Sequence, residues 1–254
     1  MTISAPDLSQ AQLDSVLGRT SPVVKLAVAI LWLVALAFTL EPLPPVAVAV
    51  LAIGAGLWLG EIPMVDLAKA LTPLWIAALG VGLFNMLFSP SNLDPTATEL
   101  LTIGPFRITE PALMSGLSIG LRVLAIASVG AVFALTTDPT KLVDSLVQQA
   151  RVPERFAYGT LAAYQAIPRF AEDLATLRQA RRIRGLRGGW HPRLLVSLLV
   201  LAIRHGDRKA LAMDARAFGS GPRSAYRVIV WSQYDLWIAL GGLFVAWAVI
   251  VLGR

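Results

Sequence analysis

Five apolar runs, each near the length needed to cross a bilayer, dominate this chain, and an arginine-laden stretch from Arg151 to Arg227 separates the fourth from the fifth. The runs are Pro22 to Leu40, Leu43 to Leu59, Ala70 to Phe88, Ala112 to Leu135 and Leu236 to Leu252. A span takes roughly 20 residues, and it must be helical because hydrocarbon offers the backbone no hydrogen-bond partner. Composition supports the same class: 56% of residues are hydrophobic and 15% charged, where a soluble domain carries about 25% charged residues. The mean hydropathy is +0.67. The expected fold is all-α, a polytopic membrane protein of about five transmembrane helices.

The cations set the orientation, because cytoplasmic loops collect Lys and Arg. Residues 138–230 hold 16 of the chain's 22 basic side chains against 7 of its 16 acidic ones. This region is expected on the cytoplasmic side, with the N-terminus on that side too and the C-terminus outside. The loop from Ser89 to Pro111, with Asp94, Glu99 and Glu110 against Arg107, is expected to face out. The first 21 residues lack a basic n-region and a cleavage site before a short apolar core, so the first span reads as a retained helix. Three parts follow: residues 1–137 as tail and four spans, 138–230 as a cytoplasmic module, and 231–254 as the last span. No cysteine is present and His191 and His205 are the only histidines, so no metal or other cofactor is expected.

The cytoplasmic module is patterned. Asp138-Pro139-Thr140 starts a short helix with Leu142 and Leu146 on one side, and Pro153 follows its end. Phe156 to Ile167 is too short to span and reads as an interfacial or packed segment. After Pro168, Phe170, Leu174 and Leu177 recur at i, i+4, i+7. Acids Glu172 and Asp173 precede cations Arg178, Arg181 and Arg182, the order that suits a helix dipole, and Gly185 is a left-handed cap candidate. A second unit starts at His191-Pro192, carries Leu194, Leu195, Leu198, Leu199 and Ala202 as an apolar stripe, passes the charged Arg204 to Lys209, and stops near Phe218-Gly219. Each long helix thus ends in an arginine beside a small residue. Such a rod delivers a planar, five-donor cation to a partner's carboxylates or helix C-terminal carbonyls.

From Pro111 to Gly221 the chain resembles the transmembrane T component of energy-coupling factor (ECF) transporters, importers of vitamins and transition metals driven by a pair of ABC-type ATPases. The resemblance rests on Gly120-Leu121-Arg122, Thr136-Thr137-Asp138-Pro139, Ala166-Ile167-Pro168, Ala180-Arg181-Arg182-Ile183-Arg184-Gly185 and Ala212-Met213-Asp214-Ala215-Arg216-Ala217-Phe218-Gly219. Asp14, Pro22 and Lys25 resemble the family's N-terminal pattern. The resemblance implies an L-shaped arrangement, with two or three amphipathic coupling helices whose arginine motifs seat in two ATPase subunits. By match these are Arg184 with Gly185, and Arg216 with Ala215 and Ala217. The pattern departs from the family at Ile183, where alanine usually precedes the arginine, and at Ala217, where glycine or serine is usual. Ala180-Arg181-Arg182 is a competing register for the first motif.

The resemblance also implies a separate substrate-binding membrane subunit, the S component, gripped by Leu142, Leu146, Phe170, Leu174, Leu177, Leu195, Leu198 and Ala202. On this reading the chain is a non-catalytic scaffold in a prokaryotic cell membrane, coupling ATP hydrolysis by its partners to movement of the substrate subunit for vitamin or metal-ion uptake. No Gly-x-x-x-x-Gly-Lys-Ser/Thr phosphate loop occurs, so ATPase activity falls to partner chains. The alternative is a self-contained permease or channel using the intramembrane polar residues Arg122 and Asn85. Arg122 also reads as a packing partner for a backbone carbonyl or for Asn85. Other basic residues, such as Arg178, Arg182 and Arg193, read as the ordinary positive-inside bias with attraction to anionic lipid. A nucleic-acid partner is not expected, since the arginines lack aromatic interleaving.

Overall fold

A computed structural model describes residue 12 and residues 14–39, 41–94, 96–103, 106–186, 191–221 and 227–253. Leu40, the expected end of the first run, lies outside them. The described residues form two compact units, one of residues 8–138 with 230–254 and one containing 139–229.

In the first unit a single turn, α1 (Val16–Arg19), precedes α2 (Pro22–Ala37), α3 (Leu43–Trp58) and α4 (Met64–Leu87). An antiparallel hairpin of β1 (Glu99–Ile103) and β2 (Phe106–Thr109) leads to α5 (Glu110–Thr136), and α10 (Gln233–Leu252) ends the described fold. The class is all-helical as expected, with the hairpin as an addition inside the Ser89–Pro111 loop. Asn92 joins that loop to the bundle. Its amide donates to the carbonyls of Met86 and Leu87 at the end of α4, and its carbonyl accepts from Thr109 N.

Among the described residues, three helices are long and apolar enough to cross a membrane: α4, α5 and α10. The other two expected spans are apolar helices of 16 residues, about 24 Å long against a hydrocarbon core of about 30 Å. Prolines set both starts, Pro22 at the head of α2 and Pro44-Pro45 in the first turn of α3. α4 begins at Met64 rather than Ala70, and Pro73 sits inside it without ending it.

One core joins four helices through Leu36, Val48, Ala52, Val129, Ala246 and Val249, and a second packs Ile62, Leu67 and Leu71 against Ala131 and Val132. α4 and α5 approach closely where Gly82 meets Gly116 and Gly120; a Cβ on Gly116 would lie 2.7 Å from the Gly82 carbonyl oxygen. Small residues at four-residue spacing allow this in a membrane, where dispersion between close backbones holds helices together. Trp32 donates from its indole to the Gly242 carbonyl, fastening α2 to α10.

Polar groups gather on the first turn of α2. Ser21 N donates to Asp235 Oδ1 at 2.6 Å, and Ser232 N donates to Asp235 Oδ2 at 2.8 Å. Asp235, 3% exposed, is therefore the N3 residue of a capping box whose N-cap is Ser232. The buried Lys25 ammonium donates to the Thr136 carbonyl at 2.7 Å. A cation at the C-terminal end of α5 satisfies an orphan carbonyl and complements the helix dipole.

The second unit holds α6 (Pro139–Gln148), α7 (Glu154–Tyr164), α8 (Ile167–Ile183) and α9 (Pro192–Ala215). α6 packs on α7, and α8 on α9. α9 is continuous, so the charged run Arg204 to Lys209 does not interrupt it. Arg and Lys are strong helix formers, and Lys209 Nζ crosses to the Ala162 carbonyl near the end of α7.

Candidate functional site

The tips of α8 and α9 share one backbone design. Arg184 is the C-cap of α8, with Gly185 N donating to Arg182 O at 3.0 Å and Leu186 N to Arg181 O at 3.1 Å. Arg216 is the C-cap of α9, with Ala217 N donating to Asp214 O at 2.9 Å and Phe218 N to Met213 O at 3.0 Å. Both pairs are the 5→2 and 6→1 bonds of a Schellman motif, whose next residue must adopt a left-handed conformation. Gly185 has φ 73° and Ala217 φ 55°. The two arginines thus occupy the same position of the same motif, and both side chains are exposed. Arg181, the competing register, lies a turn earlier inside α8 and is half-buried.

Beyond the caps the tips differ. At the first, Ile183 is 87% exposed and Leu186 is exposed. Among the described residues no side chain reaches the backbone of 184–186, and a Cβ on Gly185 would meet nothing within 4 Å. At the second, Gly219 has φ 77°, and Arg155 Nη2 donates to its carbonyl at 3.1 Å. The Phe218 ring meets Tyr158 edge-on at 6.4 Å between centroids, and Tyr158 donates its hydroxyl to Asp144 Oδ1 at 2.9 Å. Loss of solvent and the Asp144 carboxylate raise the Tyr158 pKa above its ordinary value. Sequence reasoning missed Arg155, Tyr158 and Asp144, and read Gly219 as the stop of the helix without the arginine that packs on it. The signal was that glycine.

The expected apolar grip is split. Leu142, Leu146, Phe170, Leu174, Leu177, Leu198 and Ala202 are half-buried in their own unit, and Leu194 is buried. Leu195 is exposed, together with Val196, Leu199, Val200 and Ile203, which make a second stripe along α9. His205, on α9, is held below its ordinary pKa by desolvation first, then by Arg169, Lys209 and Arg208, with Asp173 opposing them.

Inside the bundle, an Arg122 guanidinium nitrogen donates to the Thr39 carbonyl just past α2, while its buried Nε has no hydrogen-bond partner among the described residues. Asn85 donates to Val81 O of its own helix at 3.4 Å. Each satisfies a backbone carbonyl rather than the other side chain.

A family profile described as Cobalt transport protein, CbiQ, matches residues 14–226. The energy-coupling factor transporter transmembrane protein EcfT of Heliobacterium modesticaldum is 30% identical, over 92% of each chain. EcfT of Limosilactobacillus fermentum is 27% identical over 87% of each. EcfT of Bacillus subtilis is 26% identical over 70% of this chain and 71% of its own. The chain belongs to the CbiQ cobalt transport family, the transmembrane T components of energy-coupling factor transporters, and is a multi-pass membrane protein of transport.

Proposed function

We propose that the chain is the coupling scaffold of its transporter, passing ATP-driven motion of two ABC-type ATPase subunits to a substrate-binding membrane subunit. The observation that carries this reading is the duplicated tip: α8 and α9 each end in a Schellman motif with an exposed arginine at the C-cap. A helix is a stiff rod, and a C-cap arginine projects five donors past its end. Two such ends suit two similar receptors, one ATPase for each, with Arg184 and Gly185 at one and Ala215, Arg216 and Ala217 at the other. The names of the relatives support the assembly, since they describe the membrane protein of an energy-coupled transporter. The region 138–230 is then cytoplasmic, as its cation surplus favours.

The exposed stripe of Leu195, Val196, Leu199, Val200 and Ile203 supports α9 as the grip on the substrate subunit. It is continuous and exposed among the described residues, whereas Leu194, Leu198 and Ala202 are buried or half-buried in their own unit. Leu142, Leu146, Phe170, Leu174 and Leu177 then support the grip from behind. Nothing favours the permease reading, because Arg122 and Asn85 each spend donors on backbone carbonyls.

The test is affinity purification from mild detergent. Arg184→Glu with Arg216→Glu is expected to lose the ATPases while the chain stays folded in the membrane. Unchanged co-purification of the ATPases defeats the proposal.

A further inference from the structure

The two tips are built alike but held differently, and the difference assigns a role to residues outside the arginine motifs. The second tip is seated on α7 by contacts of three kinds. The Arg155 guanidinium lies against Gly219 so closely that a Cβ there would come within 2.5 Å of Nε. Its Nη2 donates to the Gly219 carbonyl, a charge-assisted bond. One residue earlier, Phe218 meets the Tyr158 ring. Gly219 is therefore demanded twice, by its positive φ and by the arginine packed over its α-carbon.

The seat does not end at α7. Tyr158 bonds Asp144 of α6, and Gln148, at the end of the same helix, donates to Arg227 O at 2.7 Å and accepts from Ile229 N at 2.9 Å. That paired amide contact holds the segment that leads in sequence to α10. Lys209 Nζ on Ala162 O ties the shaft of α9 to α7 as well. A displacement of the Arg216 tip is thus borne by α7 and α6 and not by α9 alone.

We propose that Arg155 and Tyr158 are positioning residues that pre-organise the Arg216 tip for its protein partner, whereas the Arg184 tip is held, among the described residues, by its own helix cap; this rests on the docking role given to the two arginines above. Pre-organisation raises affinity by removing the cost of ordering the tip upon binding. Arg155 and Tyr158 need not touch the partner.

A double-mutant cycle on the purified transporter complex tests it. Binding of the partner ATPases is measured with Arg155→Ala placed on an Arg184→Ala background and on an Arg216→Ala background. The expected result is a loss of about tenfold in affinity on the first, where only the Arg216 tip remains, and no further loss on the second. Equal loss on both backgrounds, or loss on neither, overturns the proposal. Arg155→Lys, which keeps the charge and lacks the planar fork, should fall between the parent and alanine.

The clamp is also read without any partner. The chain has no cysteine, so a single nitroxide goes on Gly221→Cys, an open position, or on Leu186→Cys at the other tip. Arg155→Ala with Tyr158→Ala should narrow the spectrum at 221 and leave that at 186 unchanged. An unchanged 221 spectrum, or equal narrowing at both, overturns the clamp. If instead neither arginine matters for ATPase binding, the docking reading fails, and the 221 spectrum still judges the clamp.

Discussion

Two helix ends with the same cap and the same arginine stand in opposite mechanical situations. Among the described residues the Arg184 end of α8 is a bare tip, with nothing within 4 Å of a Cβ on Gly185 and with Ile183 and Leu186 exposed beside it. The Arg216 end of α9 is a seated tip, with Arg155 over Gly219 and Tyr158 against Phe218. A cap defines where a helix stops, but only tertiary contacts define how stiffly the stop is held. The bare tip is free to adjust through its backbone, and the seated tip presents a fixed geometry.

Substitutions at the left-handed positions separate these cases. Gly219→Ala carries the largest expected effect, about 2 kcal/mol of stability lost, because it combines left-handed strain with displacement of Arg155. Thermal unfolding in detergent reads it, and a loss no greater than that of Gly185→Ala would erase the distinction between the tips. Gly185→Ala should lose about 1 kcal/mol, since open space leaves only the backbone term. Ala217→Gly runs the other way: the native alanine already sits at φ 55°, and its removal should gain about 1 kcal/mol. A destabilised Ala217→Gly would show that the alanine methyl packs on something of greater value than the strain it costs.

The smallest expected effect is a pH dependence. The folded chain depresses the pKa of His205, so the unfolded chain takes up the proton first. The contribution of His205 to stability is intact above its unfolded pKa of about 6.5 and declines as pH falls below that value. The midpoint of unfolding should drop on mild acidification, and His205→Gln should remove that part of the slope. An identical slope in the variant would assign the dependence to other groups.

The sequence disclosed the seated and bare tips unequally. Gly185 was legible as a left-handed cap because glycine is the residue that adopts it freely. Ala217 carries no such mark, so the sequence paired the second motif with the first through family resemblance, and the backbone bonds of the two caps give Arg184 and Arg216 their geometric equivalence. The five apolar helices followed from hydropathy, but α4 and α10 start earlier than the apolar runs: the Ser232–Asp235 capping box sets the start of α10, and α4 starts directly after Pro63 and carries Asp66 in its first turn. On α9 the leucine pattern identified an apolar side more than one stripe wide. Periodicity cannot say which half a neighbour covers, so Leu198 and Ala202 were expected on a docking face and are half-buried, while Val196, Val200 and Ile203 are exposed. The hairpin at Glu99 and the Asn92 cap had no signal beyond a short loop with turn residues.

The turn from Ser21 to Lys25 holds the two places where, among the described residues, the chain passes between its two compact units. Lys25 grips Thr136, just before the departure at Pro139, and Ser21 grips Asp235, just after the return at Val230. Departure and return are therefore fastened by residues outside the segment they enclose. In the terms of protein engineering, 139–229 is a cassette with both splice points secured by the recipient, and grafting the equivalent segment of a relative should leave the wiring of the apolar helices untouched. Exchange of this segment between relatives would change the helix tips without altering the apolar helices that hold the splice points.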